Sequence, residues 1–129
     1  MNNNVKVIVL AGGIGPEREV SISTGKALTN ALEKNYPVEL IDLTKEKLPK
    51  GINPETTVVF PAIHGTFGED GRLQELLEEQ GIIYSGSGPT SSRLCMDKFE
   101  SKKAVAQAGV RVAPDFAFKD SSDFKLAHC

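Results

Sequence analysis

His64 and Glu17 are the side chains whose surroundings point most directly to chemistry. His64 follows the apolar run Thr57–Ile63 and precedes Gly65. From there an imidazole can project beyond a strand end and donate to a carboxylate or phosphoryl oxygen, or it can bond the backbone as an ordinary strand-end histidine. Glu17 opens the stretch Glu17-Arg18-Glu19 at the start of a helical pattern. Its carboxylate could receive a ligand ammonium or orient another polar group, or it could simply favour a helix start beside a solvated Arg18. Just before it, Gly12-Gly13-Ile14-Gly15 turns the chain, where backbone amides can receive an anion or form no more than a tight turn. Ser21 and Ser23 follow, able to cap or to face solvent. Glu69 and Asp70 sit between Gly68 and Gly71, as two oxygen donors for Mg²⁺ or as a capped loop. Lys98 opens a later helical pattern, where the positive helix end disfavours a cation. A phosphate contact would explain that placement, although a solvated lysine costs little.

Other chemistries lack their spacing. The glycines match neither G-x-G-x-x-G nor G-x-x-x-x-G-K-[ST], so dinucleotide and P-loop sites have no local support. The only other histidine is His128, near the chain end, and the cysteines are Cys95 and Cys129, so no zinc cluster or disulfide framework is expected. Cys95 reads as a small buried side chain. No metal-ligating residue is assigned.

These residues must be positioned by alternating strands and helices. Val5–Ala11 is an almost continuous apolar, β-branched run ending at Gly12-Gly13, which predicts a strand covered on both faces. From Glu17 to Lys34 the positions Val20, Ala27, Leu28, Ala31 and Leu32 predict a helix with one apolar face. Gly25 inside it calls for a close helix–sheet approach. Val38–Leu43, Thr57–Ala62 and Ile82–Tyr84 read as further strands, with 45–55 as loop. A helix over 71–80 presents Leu73, Leu76 and Leu77, and Asp70 can cap it. Helical patterns begin near Thr90 and again at Lys98, the second ending at Gly109; its Phe99, Lys102 stem and Val105 should lie together. Phe116–Phe118 could open another strand. The fold class is α/β, an open, mainly parallel sheet with flanking helices, whose ligands bind beyond the C-terminal strand ends.

Composition agrees with one average globular domain: 129 residues, 40% hydrophobic, 25% charged and 12 glycines. With 15 Lys and Arg against 17 Asp and Glu, the net charge is −2 and no basic block invites nucleic acid. The N-terminal apolar run is far shorter than the roughly 20 residues that cross a bilayer. The expectation is a soluble, cytoplasmic chain with no membrane partner.

Five short strings then carry a resemblance: Gly12-Gly13 through Glu17-Arg18-Glu19-Val20-Ser21, Ala62-Ile63-His64-Gly65, Gly68-Glu69-Asp70-Gly71, Tyr84-Ser85-Gly86-Ser87-Gly88 and Met96-Asp97-Lys98. Together, and in this order, they resemble the N-terminal part of the D-alanine:D-alanine ligases of the ATP-grasp superfamily, over essentially Val5–Phe118. The resemblance implies a Rossmann-like pre-ATP-grasp domain over residues 1–88 and the beginning of a central ATP-binding domain over 89–129. It implies ATP-dependent formation of D-alanyl-D-alanine for cell-wall precursors. One D-alanine carboxylate is phosphorylated and the amine of a second displaces phosphate, with ATP and Mg²⁺ as cofactors. Glu17 would engage the first D-alanine's ammonium, and His64 would lie beside that substrate. Gly12 and Gly13 would shape its pocket, Ser21 would sit at its substrate side, and Lys98 would approach the ATP phosphates.

Two departures stand out. Ile14 and Gly15 occupy a loop where the family commonly has Ser or Thr, and Cys95 stands where a small residue is common. Most ATP and Mg²⁺ ligands belong to segments absent from these residues, so the expectation is a chain unable to ligate alone. D-alanine is the implied partner and a homodimer the usual assembly. From the residues alone, a noncatalytic binding or assembly module and a small nucleotide-binding regulator remain open as alternatives.

Overall fold

The central strand, β1 (Lys6–Gly12), is apolar along nearly its whole length because both its faces are covered. Val7, Val9 and Ala11 point into one layer, while Ile8 and Leu10 point into the other. The structure is a computed structural model in which residues 5–115 are described. In chain order the remaining elements are α1 (Arg18–Leu32), β2 (Val38–Leu43), β3 (Thr57–Pro61), α2 (Arg72–Glu79), β4 (Ile83–Tyr84), α3 (Pro89–Met96) and α4 (Lys98–Gln107). The strands form one sheet in the order β2-β1-β3-β4, every pair parallel. The expected open parallel sheet with flanking helices is what the chain forms.

Register aligns Val9 with Leu40 on one side and with Phe60 on the other. The chain leaves β1 toward one edge and returns as β3 on β1's opposite side. That reversal makes the C-terminal ends of β1 and β3 the topological switch point, where connections diverge and leave a crevice.

The inward face of α1 differs from the apolar pattern. Val20 is 57% exposed, and Ala27 and Ala31 also face outward. The residues against the sheet are Ser21 and Gly25, both buried, with Leu28, Leu32 and Ile22 partly buried. The reason is distance: a Cβ on Gly25 would lie 2.6 Å from Ala11 Cβ and 3.0 Å from Leu40 Cδ1. The helix sits so close that small residues, not the most apolar ones, occupy its line of contact.

The other layer is built by Leu73 and Leu77 of α2, both fully buried, with Leu76 beside them. No helix joins β2 to β3. Leu48, from that loop, is buried in the same cluster, and Ile52 packs against it. The N-cap of α2 is Gly71 and not the expected Asp70, which stands one residue earlier and braces the turn instead, its Oδ1 accepting from Arg72 N at 3.1 Å and its Oδ2 from Phe67 N at 2.9 Å. Phe67 is held at φ +74° with its ring in the core, an unfavourable backbone conformation that the Asp70 bond and core packing together maintain.

The chain divides into two compact units, Met1–Met96 and Asp97–Cys129. In the second, Asp97 caps α4 by accepting from Phe99 N and Glu100 N, each at 3.0 Å. Lys103 Nζ stands 4.3 Å from the Phe99 ring centroid, and Gly109 follows the helix at φ +84°. The expected strand at Phe116–Phe118 and the tail from Lys119 lie outside the described residues.

Candidate functional site

The turn after β1 is tied by charge. Arg18 Nη1 donates to Asp42 Oδ1 at 2.9 Å and to Gly13 O at 3.0 Å, while Nη2 donates to Asp42 Oδ2. The hydrogen bond to Asp42, helped by the charges of Asp42 and Glu19, raises the guanidinium's pKa against the opposing effect of desolvation. Arg18 is therefore not the solvated arginine that its position in the first helical turn suggests. It fastens the glycine turn to the end of β2. Glycine is required where this pair crosses, since a Cβ on Gly12 at φ +88° would fall 2.1 Å from Asp42 Oδ1. Both turn amides are engaged, Gly12 N by Ser21 Oγ at 2.8 Å and Gly13 N by Leu43 O at 2.7 Å. The turn thus shapes the crevice without offering those two amides to an anion.

Ser21 neither caps a helix nor faces solvent. It is wholly buried, and its hydroxyl accepts from Gly12 N and donates to Ala62 O at 2.6 Å. One side chain thereby joins the ends of β1 and β3 through α1, beneath the crevice. Both of its hydrogen-bonding directions are used by backbone.

Above it, the start of α1 and the end of β3 converge. Glu17, exposed and with no capping bond, places its carboxylate beside Gly65: a Cβ on that glycine would lie 3.3 Å from Glu17 Oε1. His64 is held from both sides. Its Nε2 lies 3.1 Å from Thr24 Oγ1, and its Nδ1 lies 3.4 Å from Glu69 Oε1. Thr24 Oγ1 also donates to Val20 O at 3.0 Å, so its hydroxyl links the imidazole to the backbone of α1. Glu69 Oε2 also accepts from Gly65 N at 2.9 Å, which fixes the loop carrying the ring.

Glu69 and Asp70 therefore form the capped-loop alternative. Burial alone would push the Asp70 carboxyl up, but the Phe67 and Arg72 amides and the Arg72 guanidinium outweigh it and hold it below the usual aspartate value. Among the described residues, no group of three or more His, Cys, Asp or Glu side chains is placed to hold a metal.

A cleft of about 320 Å³ lies beyond β3 and β4, lined by His64, Thr24, Glu69, Gln74, the Ser85–Ser87 turn and Cys95 among others. Cys95 is exposed there, which corrects its reading as a buried side chain. An isolated small residue carries no periodic signal of its own, and α3 buries none of its residues. Thr24 and Gln74 are also site residues that pattern reading passes over. The available signals were Thr24's place one turn beyond Ser21 and a glutamine inside the Leu73–Leu77 stripe. Lys98 is the first residue of α4, as expected, and the acidic cap at Asp97 gives a cation there a local electrostatic explanation.

A family model described as "D-ala D-ala ligase N-terminus" matches residues 45–87. The D-alanine–D-alanine ligase of Citrifermentans bemidjiense is 40% identical over 124 residues, covering 95% of this chain and 41% of that protein. A crystal structure of the D-alanine–D-alanine ligase from Bacillus anthracis complexed with ATP superposes with TM-score 0.73 at 37% identity, over 84% of this chain and 36% of that one. The corresponding ligase structure from Aeromonas hydrophila gives TM-score 0.77 at 27% identity, over 96% and 56%. The chain thus spans about two fifths of the length of the curated relative from C. bemidjiense. No helix among the described residues is long and apolar enough to cross a membrane. Shared sequence across nearly the whole chain, the superposition and the matching family model make this chain similar to the N-terminal part of D-alanine–D-alanine ligases.

Proposed function

We propose that the chain supplies the substrate-side part of an ATP-dependent ligase that joins two D-alanines. The observation that carries this reading is the approach of Glu17 to Gly65, next to His64, at the switch point between β1 and β3. There Glu17 receives the ammonium of the first D-alanine. His64, steadied by Thr24 and Glu69, orients that substrate and balances charge beside it. Gly12 and Gly13 shape the pocket wall, and Ser21 holds the two strand ends beneath it.

When bound, ATP supplies the phosphoryl group that activates a D-alanine carboxylate. The B. anthracis relative binds ATP, and in this chain Lys98 is the residue assigned to its phosphates. Two of the first amides of α4 are already taken by Asp97, so the lysine side chain rather than a free helix end would make that contact. Mg²⁺ does not fit the described residues, because Asp70 and Glu69 are committed to loop amides. A functional boundary between residues 1–88 and 89–129, a cytoplasmic setting and a homodimer belong to the same proposal.

Titration of the ¹⁵N-labelled chain with D-alanine tests it. Saturable shifts at Glu17, His64 and Gly65, weakened by Glu17→Gln, are expected. Shifts confined to other regions would overturn the site assignment. Supplied with ATP, Mg²⁺ and D-alanine, the chain alone is expected to make no dipeptide. Turnover at an enzyme-like rate would refute the assignment of essential groups to other segments. Sedimentation of the chain tests the dimer.

A further inference from the structure

Arg18 opens α1 between two acids, Glu17 and Glu19, yet its guanidinium pairs with Asp42, 24 residues along the chain. Geometry explains the choice. At the end of β2 the planar fork meets both Asp42 oxygens and also the carbonyls of Gly13 at 3.0 Å and Leu43 at 3.4 Å. Gly12 leaves the room, since a Cβ there would stand 2.7 Å from Arg18 Nη1. Consecutive residues of a helix do not share a face. Arg18 accordingly reaches β2 on one side of the switch point, while Glu17 reaches Gly65, just past β3, on the other.

Glu17 makes no capping bond to α1, and among the described residues no cation is paired with it. An unpaired carboxylate thus sits next in sequence to an arginine, and what separates the two is the hold of Asp42. The Arg18 and Asp42 side chains are 34% and 45% exposed, so their pairing supplies direction more than energy. Without the Asp42 charge the guanidinium would keep two backbone carbonyls, and the carboxylates nearest along the chain would be Glu17 and Glu19. We propose that Asp42 is a positioning residue of the candidate site: by drawing Arg18 to β2 it keeps the guanidinium off Glu17 and leaves that carboxylate open to the substrate's ammonium. The inference rests on the ligase reading of Glu17.

The test compares the full chain with Asp42→Asn, Arg18→Met and the double variant in two NMR readouts. The first needs no ligand. An NOE between the Glu17 side chain and the Gly65 α protons is expected in the parent, weakened in Asp42→Asn, and restored in the double variant, which has no guanidinium to compete. The second is titration of the ¹⁵N-labelled chain with D-alanine. Asp42→Asn should raise the dissociation constant about two- to fivefold, the range an exposed ion pair spans, and the double variant should return it to the parent value. All three variants should melt below the parent, so recovery in the double variant separates positioning from a purely structural tie, which losing both partners cannot repair. An NOE in Asp42→Asn equal to the parent's, or a double variant as weak as Asp42→Asn, would overturn the proposal. Should Asp42→Asn not fold, Arg18→Lys takes its place: it keeps a cation without the fork and should weaken the NOE where Arg18→Met does not. A parent chain that shows the NOE pattern but no saturable D-alanine shift would locate the failure in the ligase reading. D-alanine binding with an unchanged NOE in Asp42→Asn would locate it in this inference.

Discussion

Replacing Ser21 with alanine would remove one oxygen and leave two buried backbone groups without partners, Gly12 N–H and Ala62 C=O. Ser21 is 0% exposed, so water cannot readily replace the hydroxyl in the packed layer between α1 and the sheet. Each stranded group costs about 1–3 kcal/mol, and alanine returns roughly 0.5 kcal/mol through its better helix propensity. The net loss should be about 2–5 kcal/mol, a large share of the roughly 5–15 kcal/mol that holds a typical domain folded. At roughly 4–8 °C per kcal/mol for a domain of this size, the melting temperature should fall by at least about 8 °C. Urea unfolding followed by circular dichroism gives the free energy, and a thermal scan gives the shift. A loss below about 0.5 kcal/mol, within the range of ordinary surface changes, would refute the account of Ser21 as the tie between the two strand ends.

Gly25→Ala should destabilise by about 1–2 kcal/mol despite alanine's helix preference, because the new methyl meets Ala11 and Leu40; a gain in denaturant midpoint would contradict the close approach of α1. Asp70→Asn should cost stability at neutral pH. Because the folded Asp70 carboxyl lies below its usual value, its contribution is present above the unfolded value of about 3.9 and fades as pH falls through the lower folded one. The gap between parent and variant should therefore close in acid, and a gap unchanged from pH 7 to about 2 would defeat this explanation. Burial, then the hydrogen bond to Glu78, pushes the Tyr84 hydroxyl up to about 12. In a Tyr36→Phe background, phenolate absorbance should report that midpoint, and Glu78→Gln should lower it. The associated stability is present below the ordinary tyrosine value and is lost only as pH rises through the folded one; a midpoint at the ordinary value would count against the Tyr84–Glu78 contact.

Much of the framework was legible because the signals were local. The apolar run before Gly12-Gly13 needed cover on both faces, and β1 has it. Val38–Leu43 is β2 to the residue, and Gly25 marked a close approach that the structure contains. The contact line of α1 was not legible, since an apolar pattern ranks residues by affinity for a core and cannot know how near the sheet will come. At that distance Ser21 and Gly25 fit while Val20 is turned out. The same limit hid the partners of the candidate site. Glu17 and His64 stood out at element ends, but Arg18 meeting Asp42, Ser21 meeting Ala62 and Thr24 meeting His64 span 24, 41 and 40 residues of chain.

By itself, then, the sequence determined which segments become strands and helices, that their sheet is parallel, and which residues stand at strand and helix ends, because these follow from short-range steric and solvation preferences. It also carried the five strings that point to the ligase family. Only the tertiary structure decided which donors and acceptors those residues meet. It made Ser21 a buried strut, spent Arg18 and the turn amides on internal bonds, set His64 between Thr24 and Glu69, and left Gln74 with an acceptor unmatched. Hydrogen bonding is short-ranged and directional, so its outcome depends on the packing of elements distant in the chain, and no periodicity along a single segment encodes that arrangement.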